Sequence, residues 1–248
     1  MASVSINLAT PPLGPTGTVA DAVPPPTGAE IAATHPDFVD VSHHQGEVDW
    51  KAYKAAGNTG AVCKVTEGGD FVDDHAATNR AGMKEACLDR GLYHFARPKG
   101  DVADLASEAK LEANNYLAQV GKMDSQEFPI LDLEGLRSLK YDKEQLTSWA
   151  SSWMETVQTA TGKTPWLYSG VKDLVKLDAA QLSKYPLWVA DYRTCDRKSP
   201  PDVGDFSKNL VAWQYTESYT GFTGIPPVDG KPAKVDGSYL YGNFPVSP

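Results

Sequence analysis

The sequence of 248 residues predicts an α/β fold, an irregular TIM-barrel-like (β/α)-barrel of about five βα units closed by further β-strands. Three observations carry that prediction. Short β-branched runs, apolar on both faces, alternate with longer segments of helical period, the signature of a parallel sheet covered by helices. After the fifth unit the strands continue, but their connections become short or irregular. The hydrophobic content of 41% supports one sizeable core in a chain of this length.

Residues 1–36 stand apart. They are rich in Pro, Gly, Ala and Thr, contain no Lys or Arg, and include Pro24-Pro25-Pro26. Such a stretch buries too little apolar surface to offset its ordering entropy and reads as a flexible arm preceding a domain over 37–248. Phe38–Val41 is the first strand, followed by an amphipathic helix over Trp50–Ala56. Ala61–Val65 and a helix over Asp74–Cys87 form the second unit, Gly91–Phe95 and Val102–Val120 the third. Phe128–Leu133 leads into Lys143–Thr161, and Thr164–Tyr168 into a fifth helix over Val171–Leu182. Leu187–Ala190, Leu210–Gln214 and Lys234–Tyr239 complete the predicted strands.

In barrels of this kind the active site lies at the C-terminal ends of the strands. Read in order, those ends supply Asp40, then Lys64 to Glu67, Tyr93 to Arg97, Asp132 and Glu134, Tyr168, Trp188 with Asp191 and Tyr192, Trp213 to Tyr215, and Asp236. Carboxylates and aromatics recur at nearly every end, as an acidic sugar-binding cleft requires: flat rings stack on sugar faces while polar tips bond hydroxyls. Asp132 and Glu134 are two apart on a strand, so both side chains share a face, with Cα atoms about 6.5–7 Å apart. Like charges that close push one pKa upward and keep a proton donor available near neutral pH. On spacing alone, Asp132-x-Glu134 reads equally well as a pair of strand-end surface carboxylates, and Asp40 as a turn-forming residue.

Other classes find less support. Lys plus Arg total 23 against 32 Asp plus Glu, a formal net charge of −9, which argues against nucleic-acid or anionic-lipid partners. No apolar run reaches the roughly 20 residues of a membrane span. Cys63, Cys87 and Cys195 have no metal-ligand spacing and read as free, buried thiols. His43 and His44 lack a third ligand at helical spacing, so no metal is expected, and acid catalysis by carboxyl groups calls for no cofactor. Ser42 lacks the G-x-S-x-G elbow of a nucleophilic serine.

Seven segments, DVSHHQGEVDW (40–50), KVTEGGDFVD (64–73), GLYHFARP (91–98), PILDLEG (129–135), PWLYSG (165–170), PLWVADY (186–192) and VAWQYT (211–216), occur in the order found in the glycoside hydrolase family 25 lysozymes. The chain resembles these Chalaropsis-type N-acetylmuramidases over nearly all of 37–244. The resemblance implies hydrolysis of the β-1,4 bond between N-acetylmuramic acid and N-acetylglucosamine in bacterial cell-wall peptidoglycan. It implies Glu134 as proton donor, Asp132 orienting the substrate's 2-acetamido group, and Asp40 and Asp236 as further cleft carboxylates. Tyr93, Tyr168, Trp188, Asp191, Tyr192 and Gln214 are expected to line the sugar groove. Glu67 matches the family pattern without an assigned role, a supporting salt bridge and a substrate contact being equally open to it. His44 departs from it, standing where an aromatic residue, commonly Trp, is usual, and VDGSYLYGNF around Asp236 is a loose match. A chitinase-like glycosidase and an inactive glycan-binding protein are the competing readings. The N-terminus has no basic segment followed by an apolar core, so the expectation is a monomer made in a host cytoplasm and acting on the wall, as a phage endolysin or virion-associated lysin, with a secreted lysozyme as alternative.

Overall fold

The computed structural model describes residues 35–225, 227 and 230–246. Most of the expected arm, residues 1–34, lies outside the described residues. Among the described residues there are nine strands: β1 (Phe38–Val41), β2 (Gly60–Glu67), β3 (Phe71–Val72), β4 (Asp89–Phe95), β5 (Glu127–Asp132), β6 (Trp166–Gly170), β7 (Leu187–Ala190), β8 (Leu210–Tyr219) and β9 (Val235–Leu240). Their order is β1-β9-β8-β7-β6-β5-β4-β2-β3, and a further β1–β2 pairing closes eight of them into a barrel with β3 appended to β2. Neighbours from β4 round to β8 are parallel, as are β1–β2 and β2–β4. β9 runs antiparallel to both β8 and β1 and completes the closure. The barrel expected from the sequence is therefore present.

The helices are α1 (Trp50–Ala55), α2 (Ala76–Glu85), α3 (Leu105–Val120), α4 (Lys143–Thr161) and α5 (Ala179–Leu182). α4 matches its predicted span because both its ends are encoded locally. Asp142 and Gln145 form a reciprocal capping box, and Gly162 ends the helix in the left-handed conformation at φ 68°. Leu146, Trp149, Ala150, Trp153 and Val157 recur on one face and are buried against the barrel. The fifth helix is a correction. Val171–Leu182 is not one helix but a 3-10 turn over Leu174–Lys176, extended backbone at Leu177, and a single helical turn capped by Asp178. Asp173 accepts hydrogen bonds from the backbone of Gly135 and Arg137, on the loop after β5, at 2.8 and 3.2 Å. The β6 connection is thus shaped as a brace for its neighbour.

Smaller differences have local causes. β6 begins at Trp166 rather than Thr164 because Pro165 has no N–H to give to the ladder. Gly68, at φ 54°, opens the turn that folds β3 back on β2, a hairpin absent from the predicted elements. Of the three cysteines, all free, only Cys63 is buried; Cys87 and Cys195 are exposed, contrary to the expectation for them.

Two apolar cores flank the barrel wall. The larger lies between strands and helices. The smaller fills the barrel interior with Phe38, Val62, Phe128, Ile130, Trp166 and Trp188, and is stopped from below by Phe244. The Phe244 ring lies 5.3 Å from that of Phe38 and 5.5 Å from that of Phe128. A Cβ on Gly60 would sit 2.3 Å from the Phe244 ring, so only glycine lets this tail segment enter.

Candidate active site

At the opposite mouth of the barrel, the C-terminal ends of the parallel strands surround a cleft of about 430 Å³. It follows from the twofold period of the strands. On β5, Phe128 and Ile130 point inward into the apolar core, so Asp132 two residues later points inward at the top. On β1, Phe38 and Asp40 repeat the pattern, as do Val62 and Lys64 on β2. The four carboxylates expected from the sequence, Asp40, Asp132, Glu134 and Asp236, all line this cleft, with Tyr93, Tyr168, Trp188, Tyr192 and Gln214.

Asp191 does not. Its carboxylate is held by the Arg193 guanidinium at 2.7–3.1 Å, which keeps its pKa below the usual range, and the side chain is not among the cleft-lining groups. It neighbours the site through its backbone, accepting a hydrogen bond from the Trp213 indole at 2.8 Å.

Gln214 organises the floor. Its Oε1 accepts from the Tyr168 hydroxyl at 2.7 Å and the Tyr192 hydroxyl at 2.5 Å. Its Nε2 donates to Asp40 at 3.0 Å and to Asp236 at 3.2 Å. Two hydroxyl donors on one side and two carboxylate acceptors on the other leave the amide a single orientation. Asp40 and Asp236 face each other in register across the β1–β9 pair, so the loosely matched final strand brings its carboxylate into the site. Burial and then the charge of Asp236 push Asp40 well above the normal carboxylate range. Burial, Glu217 and Glu134 raise Asp236 to about 6.

Asp132 is buried, and desolvation, followed by Glu134 and Asp40, raises its pKa strongly. Its Oδ1 has no hydrogen-bond partner among the described residues, a costly state for a buried polar atom unless something else comes to it. Glu134 stands one step further out, exposed at the mouth. Partial desolvation and the nearby Asp173 carboxylate raise its pKa, while Arg97 and Lys64 oppose the rise. Asp173 also holds the Gly135 backbone, so one side chain both places Glu134 and tunes it.

Glu217 escaped the sequence reading. It lines the cleft with Ser42, His44 and Phe95, as do Lys64, Glu67 and Arg97, which interact with one another. The ionic group was visible as charges at the ends of two neighbouring strands, and a salt bridge was one of the two roles open to Glu67; its partners were not named. His43 is turned to Asp73, with Nδ1 2.6 Å from the carboxylate. Its ring lies 4.0 Å from that of His44. Asp173 gave no signal, being an acidic residue inside a segment of helical period.

The model for the glycosyl hydrolases family 25 matches residues 39–223 of this chain. Lysozyme M1 of Streptomyces globisporus is 29% identical over 210 residues, 81% of this chain and 67% of that protein. The uncharacterized protein YegX of Escherichia coli strain K12 is 31% identical over 183 residues, 71% of this chain and 60% of its own length. The matches thus span about two thirds or less of these relatives. The bacterial lysozyme from Streptomyces coelicolor has a similar structure, with a TM-score of 0.70 at 26% identity over 82% of this chain and 91% of that one. The ordered motifs, the closed barrel and its acidic cleft agree with these matches: the chain belongs to family 25 of the glycosyl hydrolases and is a glycoside hydrolase of the lysozyme type.

Proposed function

We propose that this protein hydrolyses the β-1,4 bond between N-acetylmuramic acid and N-acetylglucosamine in cell-wall peptidoglycan. The observation that carries the reading is the step from Asp132 to Glu134: a buried carboxyl with one unpartnered oxygen, beside an exposed carboxyl whose pKa is raised. Glu134 in its acid form donates its proton to the glycosidic oxygen as the C–O bond breaks. The acetamido carbonyl oxygen of the same sugar attacks C1, giving an oxazoline-type intermediate. Asp132 accepts the acetamido N–H on its open oxygen and orients that attack. Water then adds at C1, the bond from C1 to the acetamido oxygen breaks, and Glu134, now a carboxylate, takes the water's proton. The β-configuration is retained and no protein nucleophile is used. Asp40 and Asp236, tied to the Gln214 amide, complete the acidic floor, and Tyr93, Tyr168, Trp188 and Tyr192 give the sugar its platforms.

The test is digestion of purified peptidoglycan by the wild type and by Glu134→Gln, with new reducing ends identified by mass spectrometry. Muramic-acid ends from the wild type alone are expected. Glucosamine ends would assign a different bond, and equal product from the variant would remove Glu134 from its role. NMR of the first product anomer checks the stereochemistry: an initial α-anomer would exclude retention.

A further inference from the structure

The cleft has two unlike walls. Asp40, Asp236 and Glu217 stand on β1, β9 and β8; continuing round the barrel from β1, on β2 and just past β4, are Lys64, Glu67 and Arg97. Glu67 joins the two cations. Its Oε2 lies 2.5 Å from Lys64 Nζ, and its Oε1 accepts from Arg97 Nε at 2.7 Å, with Arg97 Nη2 also at 2.7 Å. Both cations lie by the Phe95 ring, the guanidinium 4.3 Å and the ammonium 5.1 Å from its centre. The backbone N–H of Arg97 is fixed as well, donating to the buried Glu112 carboxylate at 3.0 and 3.2 Å.

Among these three side chains, two cations against one carboxylate leave one positive charge in excess, which also acts on Glu134. The exposures decide where that charge is presented: the Lys64 side chain is 8% exposed, the Arg97 side chain 57%. Lys64 is spent inside the wall, and Arg97 faces the solvent of the cleft. A guanidinium held at one edge and stacked on a ring is pre-oriented, so a second, planar anion meets it with little further loss of side-chain freedom.

We propose that Arg97 is a specificity residue that binds a carboxylate borne by the substrate on the β2–β4 side of the cleft. The inference rests on the muramidase reading above. Muramic acid differs from glucosamine by a lactyl ether, and in the wall that lactyl group carries a peptide with carboxylates of its own. A chain of net charge −9 is repelled overall by such a polymer, so a local, fixed cation is what turns the substrate's charge into recognition.

The experiment compares kcat/KM on four substrates: intact peptidoglycan, glycan strands stripped of peptide so that the lactyl carboxylate is free, and each of these with its carboxyls converted to amides. The expected wild-type preference for the charged form is about three- to tenfold, the scale of one solvent-facing ion pair with good geometry. Whether it is seen on the intact wall or on the stripped strands identifies the peptide or the lactyl group as its source. Arg97→Gln should bring the charged-to-amidated ratio to near one, chiefly through KM, and Arg97→Lys should keep part of it. The wild-type preference should also shrink as ionic strength rises past about 0.1 M. A wild-type ratio near one on both pairs, or a ratio that Arg97→Gln leaves in place, would overturn this inference while the muramidase reading stands. Failure of the wild type to cleave any of the four would overturn that reading and this inference with it.

Discussion

The two ends of the barrel interior are built by the same strands and do opposite things. At the bottom, Phe38, Phe128, Trp166 and Phe244 pack ring against ring and exclude water. At the top, two residues further along β1 and four further along β5, Asp40 and Asp132 are buried with raised pKa values and, for Asp132 Oδ1, no hydrogen-bond partner among the described residues. One end lowers the free energy of the fold and the other raises it. The comparison teaches that the apolar end must be well packed because the acidic end is strained: buried like charges survive only where the surroundings hold them in place.

Asp132→Asn separates the two ends most sharply. It keeps the shape of the side chain and removes one of the mutually repelling carboxyls. Turnover on peptidoglycan should fall about 10²–10³-fold, the usual range for a lost group that orients and stabilises the reacting atoms. The thermal midpoint should hold or rise. A variant that lost stability together with activity would show that Asp132 supports the fold, and the contrast between the ends would fail.

Phe244→Ala is the reverse experiment. Removing a buried aromatic ring costs about 3–5 kcal/mol, and the chemistry lies at the other mouth. Denaturant unfolding should show the loss, while kcat below the new transition should stay within about twofold of the parent. If kcat fell as far as stability, the plug would be setting the geometry of the cleft from the far end of the barrel.

What the sequence made legible follows the same division. Inward-facing positions could be read because strand period and hydrophobicity agree at the bottom, and because Asp40, Asp132 and Asp236 break that pattern at the strand ends. The four carboxylates therefore meet where expected. Asp191 misled because a carboxylate at a strand end looks the same whether it faces the cleft or, as here, is taken by an arginine two residues on. The Lys64–Glu67–Arg97 group depends on β2 and β4 lying side by side, with Glu67 in register with Phe95. That adjacency comes from the closed sheet and from no local pattern. The 171–182 segment failed as a helix because its acidic residues serve as a brace and a cap, uses that helical period does not reveal.

Asp173 tests how far the fold reaches into the site. Asp173→Ala removes the acceptor for the Gly135 and Arg137 amides and the charge that helps raise Glu134. Loss of two partly exposed hydrogen bonds should cost about 1–2 kcal/mol of positioning, read as roughly a tenfold fall in kcat with KM little changed. The alkaline limb of the kcat–pH profile should move to lower pH with the lowered Glu134 pKa. A KM change alone would mean that the loop binds substrate rather than placing the acid.

The smallest expected effect lies along β5 itself, whose two ends titrate in opposite senses. At its start, burial acts to raise Glu127, but Arg80 and Arg90 outweigh it and hold the carboxyl at about 2. Its contribution is complete above the ordinary carboxylate pKa and is lost as pH falls toward 2. At the other end, and for Asp236 at about 6, the folded pKa is raised, so the favourable state is the protonated one. That contribution is complete below about pH 4 and is lost as pH rises through 6. Glu108, raised to about 7 by burial and by Glu112, adds to the same loss, whereas His94, lowered to about 3 by burial, acts the other way as pH falls below its usual value. Differences between variant and parent isolate each group from this background. Asp236→Asn should be more stable relative to the parent at pH 8 than at pH 4, by a few degrees in thermal midpoint at most. Glu127→Gln should be less stable relative to the parent at pH 7 than at pH 3. If Asp236→Asn tracked the parent at a constant offset from pH 4 to 8, the acidic end would not be strained, and the apolar end would have nothing to balance.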